Sequence, residues 1–151
     1  MITEATLEDV PQLCDMLGEL FAQETDFRPD RAKQSAGLRL LVGNLGFGRI
    51  FVERRGGTLV AMVNLLTVFS ASQGGRALLL EDLIVRRAFR GKGIATSLLQ
   101  HTVRFAQSIG AVQITLLTDS TNARAIRLYQ KAGFSRVGAG PVRMSLPSQA
   151  G

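Results

Sequence analysis

The 151-residue chain has no tryptophan and only one tyrosine, one cysteine and one histidine. A single cysteine, Cys14, excludes an internal disulfide framework, and Cys14 with His101 alone does not make a zinc site, so no metal is expected. No apolar run approaches the roughly 20 residues a membrane span needs. The start, Met1-Ile2-Thr3-Glu4, is acidic and lacks the basic and apolar stretches of a signal peptide, so a cytoplasmic protein with no membrane partner is expected. Repeats and low-complexity tracts are also missing. The length then fits a single domain over residues 1–146, with 147–151 as a frayed tail.

What the chain does carry is positive charge. Lys and Arg number 18 against 12 Asp and Glu, for a net charge of +6. Such a field points to an anionic partner. Arg86, Arg87, Arg90 and Lys92 crowd into seven positions, and Arg124, Arg127, Lys131 and Arg136 follow later. Nucleic acid would be the default partner, but base-stacking aromatics are sparse and no basic–aromatic alternation appears. A compact anion held at one site fits better, and no nucleic-acid partner is expected.

Periodicity divides the chain into eleven elements. Met1–Ala5 reads as a short strand. Leu7, Val10, Leu13, Cys14, Leu17, Leu20 and Phe21 recur at helical spacing, predicting a helix from about Glu8 to Glu24. A second helix follows Pro29 and ends in the Gly43–Gly48 stretch. Arg49–Glu53 and Thr58–Phe69 form a hairpin turned at Arg55-Gly56-Gly57, and Gln73-Gly74-Gly75 leads into a strand over Ala77–Val85. Gly93–Ser108 is helical, with Ile94, Leu98, Leu99, Val103 and Ala106 on one stripe and Gly110 at its stop. A buried strand over Val112–Leu117, a helix over Asn122–Ala132, and strands over Phe134–Val137 and Val142–Leu146 complete the chain. Antiparallel strands followed by a strand–helix–strand crossover give a mixed sheet with helices on both faces.

The most informative segment is Val85-Arg86-Arg87-Ala88-Phe89-Arg90-Gly91-Lys92-Gly93-Ile94-Ala95-Thr96. A buried strand ends, a basic turn follows, and glycines open an amphipathic helix. The first turn of a helix has unpaired N–H groups and partial positive charge, and so receives phosphate readily. Gly91 and Gly93 let backbone approach a pyrophosphate, Ala95 is small, and Arg90 and Lys92 add charge. A P-loop fits poorly, because Gly93 is followed by Ile94 rather than by Lys and Ser or Thr. A dinucleotide fingerprint fits poorly too, because its sixth residue is Thr96, four residues separate strand from glycine, and the next strand ends without an acidic residue. A mere tight turn stands as the plain alternative.

Arg90-Gly91-Lys92-Gly93-Ile94-Ala95 resembles the Arg/Gln-x-x-Gly-x-Gly/Ala signature of the GNAT acetyltransferase superfamily. The resemblance extends upstream through Leu80-Glu81-Asp82-Leu83-Ile84-Val85. Downstream, Asn122 to Phe134 is similar to the family's Asn-x-x-Ala-x-x-x-Tyr-x-x-x-Gly-Phe element. It implies an α+β fold: a mostly antiparallel sheet of six to seven strands, a parallel β-α-β crossover and helices on both faces. It also implies acetyl-CoA as co-substrate. The pyrophosphate would lie on the backbone of Arg90, Gly91, Lys92, Gly93, Ile94, Ala95 and Thr96. The pantetheine arm would lie along Leu83, Ile84 and Val85, with the next strand splaying away. Asn122 and Tyr129 match the positions that touch the pantetheine and meet the sulfur.

Glu81 and Asp82 stand out before any family is invoked, because they interrupt a strand apolar on both faces. Strict alternation places Leu79, Glu81, Leu83 and Val85 on one face and Leu80, Asp82 and Ile84 on the other. A carboxylate there is costly unless paired, as with a neighbouring arginine, or functional. An acceptor amine is mostly protonated at neutral pH, so its attack needs a base. Glu81 is the first candidate, acting through ordered water; Asp82 or water alone are the others. Direct attack on the thioester gives a tetrahedral intermediate whose oxyanion a backbone N–H near Leu83 or Val85 would hold. Tyr129 would protonate the thiolate, a phenol near 10 serving a thiol near 8.5; its alternative role is a core anchor. Cys14 reads as a small buried hydrophobe and His101 as a half-buried mid-helix residue. Arg124, Arg127 and Lys131 read as a solvated face, one of which would meet the cofactor's 3′-phosphate.

By the resemblance, the acceptor is set by Thr25–Gly48 and Gly138–Ser145. Leu-Glu-Asp ahead of the cofactor strand is similar to the polyamine and small-amine branch, so a small primary amine is expected. Glu24, Asp26, Asp30, Glu81 and Asp82 would make its pocket acidic despite the net charge. A protein or peptide N-terminus, or a non-catalytic sensor of acetyl-CoA, is the alternative. A homodimer follows the family's habit.

Overall fold

The computed structural model describes residues 1–21, 30–138 and 142–147, with backbone alone at 21 and 142–147. Its elements run β1 (Ile2–Glu4), α1 (Val10–Phe21), α2 (Arg31–Gly43), β2 (Gly48–Arg55), β3 (Thr58–Ser70), β4 (Gly75–Val85), α3 (Ile94–Ser108), β5 (Gln113–Thr118), α4 (Ala123–Lys131), β6 (Ser135–Val137) and β7 (Val142–Pro147). This is the order expected from periodicity. The end of the first helix, expected at Glu24, lies outside the described residues, as do 148–151 of the tail. Pro147 pairs with Gln113, so β7 continues one residue past the expected end. Leu7 does not join the helical stripe. It sits in a 3-10 turn before α1 and is exposed.

The seven strands make one sheet in the order β1-β2-β3-β4-β5-β7-β6. All neighbours are antiparallel except β4 and β5, which are parallel and joined through α3. Gly56 and Gly57, at φ 57° and 82°, form the two-residue connection between β2 and β3. Positive φ at both central residues matches the twist of the flanking strands and favours glycine.

Helices cover both faces. Leu13, Met16 and Leu38 from α1 and α2 pack on Ile50, Val52, Met62 and Ile84. Leu98 and Leu99 of α3 and Tyr129 of α4 pack on Val63, Leu65, Leu78, Leu80, Ile114 and Leu116 from the other side. This two-sided cover explains why Leu59 to Leu65 is buried at every position, as a strand with solvent on one face would not be.

One edge of this packing carries an ion pair that the sequence pattern did not disclose. Asp9 is buried, and the two terminal nitrogens of Arg54 donate to its two oxygens while Thr6 N donates to Oδ2 at 2.8 Å. The Arg54 guanidinium holds the Asp9 carboxyl below the usual aspartate range against the opposing effect of burial.

Strict alternation fails along β4. Asn64 pairs with Asp82 and the next residue, Leu65, pairs with Leu80, so Glu81 is the extra residue of a β-bulge. The phase of the side chains changes there. Leu80 faces α3, together with Leu78 before it and with Leu83 and Val85 after it, whereas Ile84 faces α1. The assignment of Leu80 to the face of Asp82 and Ile84 is therefore corrected: a bulge inserts one residue and resets the period of two.

Candidate active site

The bulge stands where the sheet opens. β4 and β5 share rungs from Ala77–Gln113 to Leu80–Leu116 and none beyond. From Glu81 to Val85, β4 continues along β3 on one side only, while β5 runs on through Thr118 along β7. Past the last rung lies a cavity of about 520 Å³.

Eleven of the thirteen residues singled out from sequence line that cavity: Leu83, Ile84, Val85, Arg90, Gly91, Gly93, Ile94, Ala95, Thr96, Asn122 and Tyr129. Glu81 and Lys92 lie outside its lining. Glu81 is exposed at the bulge. Lys92 turns back over the ring of Phe89, its Nζ 5.3 Å from the centroid. The turn before α3 is drawn in by Arg90, whose Nε donates to the carbonyl of Val85 at 3.0 Å.

Gly91 and Gly93 have φ of 76° and 79°, a conformation that L side chains rarely adopt. A Cβ at either would meet nothing within 4 Å, so open space lies against this backbone. Gly93 is the N-cap of α3 and offers no side chain to the amides of the first turn. Those amides carry the partial positive end of a fifteen-residue helix.

Three further cations, Arg124, Arg127 and Lys131, also line the cavity from α4. All three are exposed, as expected of a solvated face, and that face borders the cavity. Their spacing of three and four puts them on one helical stripe, but only the packing of α4 decides that the stripe borders a cavity. Leu20 of α1, Phe89 and Leu128 line it too and were not anticipated.

Asn122, expected as the first residue of the helix, stands just outside it. It is the N-cap of α4, and its Oδ1 accepts from Ala125 N at 3.1 Å. Tyr129 is buried, edge-on to Phe134 at 5.8 Å between centroids. Burial, with the negative charge of Asp82 added, pushes its hydroxyl up to about 12. The phenol therefore stays protonated throughout the physiological range, and it is a weaker acid than the ordinary phenol invoked from sequence.

Opposite the bulge stands Asn64, buried at 4% exposure. Its Nδ2 lies 3.4 Å from Glu81 Oε2 and 3.4 Å from Asp82 Oδ2. Sequence reasoning missed it, because an asparagine amid Met62, Val63 and Leu65 shows its role only through the register with Asp82. Cys14 and His101 keep the roles expected of them. Cys14 is buried in the α1 stripe, and burial pushes its thiol up. His101 is half-buried with its ring edge-on to Phe51 at 4.5 Å, and burial with Arg104 lowers its pKa.

The acetyltransferase (GNAT) family model matches residues 13–134, and the chain belongs to that family. It is similar to N-acetyltransferase family 8 member 2 of Rattus norvegicus, 35% identical over 91 residues, or 60% of this chain and 40% of that one. It is also similar to a streptothricin acetyltransferase of Streptomyces lavendulae, 38% identical over 69 residues, or 46% and 36%. The chain thus spans about two fifths of the length of these relatives. The solved N-acetyltransferase of Staphylococcus aureus Mu50 shares the fold at a TM-score of 0.84, with 21% identity, 99% of this chain and 98% of that one covered. Among the described residues, no helix is long and apolar enough to cross a membrane, and no group of three metal-ligating side chains occurs.

Proposed function

We propose that the enzyme transfers acetyl to a small primary amine by direct attack, with Glu81 as base and Tyr129 serving the leaving sulfur. The observation that carries this reading is the parting of β4 from β5 after Leu80 and Leu116, beside a glycine-opened helix and below Tyr129. Acetyl-CoA supplies the thioester, an electrophilic carbonyl bearing a sulfur leaving group.

Each residue then has a defined task. The amides of Gly93, Ile94, Ala95 and Thr96 hold pyrophosphate, with Arg90 and Lys92 adding charge around the turn. Arg124, Arg127 and Lys131 extend that positive lining to the remaining phosphate. The unpaired edge of Leu83, Ile84 and Val85 offers backbone hydrogen bonds to an extended amide-bearing arm, as an added strand does. An N–H of Leu83 or Val85 holds the oxyanion. Asn122, its Oδ1 committed to the cap, donates from Nδ2.

Glu81 takes the proton that the acceptor ammonium must lose before its nitrogen attacks, and solvent recovers that proton. As the nitrogen–carbon bond forms and the carbon–sulfur bond breaks, the electron pair stays on sulfur. Tyr129 meets it with a hydrogen bond. Full transfer from a phenol at about 12 to an ordinary thiolate near 8.5 is uphill by three to four powers of ten. The phenol therefore stabilises the departing charge first, and the second proton of the acetylated nitrogen replaces any proton it gives up.

Thermal unfolding with and without acetyl-CoA, against ADP and an RNA oligomer, tests the binding half of the proposal. At 100 times its Kd a ligand adds about 2.7 kcal/mol. For a chain of this size the midpoint rises roughly 5–10 °C. Release of free thiol on adding alkylamines tests the transfer. A shift that RNA matches and salt abolishes would reduce the glycine turn to a turn.

A further inference from the structure

α3 carries a second face beside the one that covers the sheet. Its buried stripe is Ile94, Leu98, Leu99, Thr102 and Ala106. His101, Arg104, Phe105 and Ser108 recur at three and four, so they share a neighbouring face. With Glu4 of β1 and Arg49 and Phe51 of β2, that face lines a second cavity, of about 330 Å³. This is at the lower end of the roughly 300–1,000 Å³ usual for small-molecule sites. It shares no residue with the cavity at the glycine turn. Arg104 stands about 15 Å along the helix axis from Ile94, by the rise per residue.

The walls are aromatic. Phe51 meets His101 edge-on at 4.5 Å and Phe105 at 5.2 Å between ring centroids. Of the two cations, Arg49 is already balanced: its Nη1 pairs with Glu4 Oε1 at 3.0 Å, and its guanidinium lies over the Phe105 ring at 5.5 Å. Arg104 is exposed and, among the described residues, has neither an ion pair nor a hydrogen bond. His101 is half-buried, and burial with Arg104 beside it lowers its pKa, so the ring is neutral at pH 7. Its nitrogens also have no hydrogen-bond partner among the described residues. An unpaired arginine on a surface is ordinary. Here it stands beside an unpartnered imidazole on an aromatic-walled cavity, which leaves one positive charge, one ring N–H and apolar ring surface to be met together. A carboxylate on a flat apolar body meets all three, its two oxygens matching the guanidinium fork and its ring packing on Phe51 and Phe105. A dianion fits less well, because the Glu4 carboxylate lines the same cavity. We propose that this cavity is a binding site for a small aromatic carboxylate, separate from the site of acetyl transfer.

This site goes beyond the acetyl-transfer reading and does not rest on it. His101 is the only histidine in the chain, so its imidazole NMR signals report on this cavity. The test is a titration of histidine-labelled protein, at neutral pH, with sodium benzoate and with benzyl alcohol as its neutral counterpart. Benzoate is expected to shift the His101 signals saturably and to bind about tenfold or more tightly than benzyl alcohol, as a charge-assisted hydrogen bond predicts. Arg104→Gln is expected to remove that preference. Arg104→Lys keeps the charge without the fork and is expected to retain part of it. Saturating CoA is expected to leave benzoate bound, because the two cavities have no lining residue in common. The proposal is overturned if no saturable shift appears up to about 10 mM benzoate. It is equally overturned if the two ligands bind alike, if Arg104→Gln keeps the full preference, or if CoA competes benzoate away.

Discussion

Leu80 of β4 faces Leu116 of β5 in the last rung of the parallel pair, and the residue after Leu80 is the bulged Glu81. Both leucines are buried under α3 and close the apolar floor at this point. One residue further on, the sheet has an open edge, a carboxylate and a cavity. The site is thus a controlled ending of pairing, and its tests follow from where each group stands relative to that ending.

Glu81→Gln is expected to lower kcat by about 10²- to 10³-fold, within the usual range for loss of a general base. The side chain is exposed, so the fold and the affinity for acetyl-CoA should hold. Steady-state kinetics with a calorimetric control checks both. Retention of kcat would move the base to Asp82 or to water.

The only tyrosine in the chain makes its own titration visible. Tyrosinate absorbance of the folded protein should rise with a midpoint near 12, against 10 in denaturant. The sign of the stability effect follows. The unfolded chain releases this proton at 10 while the folded one keeps it, so the stabilisation from Tyr129 is complete below pH 10. It is lost as the pH rises toward about 12. Tyr129→Phe removes the absorbance change, and in turnover it lowers kcat with little change in acetyl-CoA binding. A folded midpoint at the ordinary value would contradict the buried setting described here.

Gly93→Ala probes the cradle. A Cβ meets no atom, so the strain is conformational, roughly 1–2 kcal/mol for a left-handed position. The added methyl also occupies space against the backbone where pyrophosphate is proposed to lie. Affinity for acetyl-CoA should fall more than tenfold, while the unfolding midpoint drops only by the few degrees that the strain accounts for. Calorimetric binding read beside thermal unfolding separates the two effects.

Asp9→Asn tests an ion pair remote from the chemistry. Arg54 is partly exposed, with 30% of its side chain accessible, which keeps the cost below that of a fully buried pair. A loss of about 1–3 kcal/mol is expected. The lowered pKa fixes the pH dependence: the contribution is present above the ordinary aspartate value of 3.8 and fades as the pH falls through the lower folded value. Acid unfolding of wild type and variant should therefore converge at low pH, and turnover near neutrality should be unchanged.

The sequence by itself determined the order of all eleven elements, because each announces itself locally. Helical spacing marks α1 and α3, the paired glycines turn β2 into β3, and Gly91 and Gly93 open α3. It also singled out the glycine turn and the strand before it, contiguous in the chain, most of whose residues line the cavity. Tertiary structure alone decided the rest. Asn64 meets Glu81 and Asp82 only through a shift of register between β3 and β4, and periodicity of two cannot reveal an inserted residue. Arg124, Arg127 and Lys131 are a solvated face, and only the packing of α4 beside the parted strands shows that this face borders a cavity. Asp9 and Arg54 are 45 residues apart and pair because β2 passes the start of α1. Local pattern fixes conformation; charge and amide groups acquire their partners only when distant segments pack and exclude water.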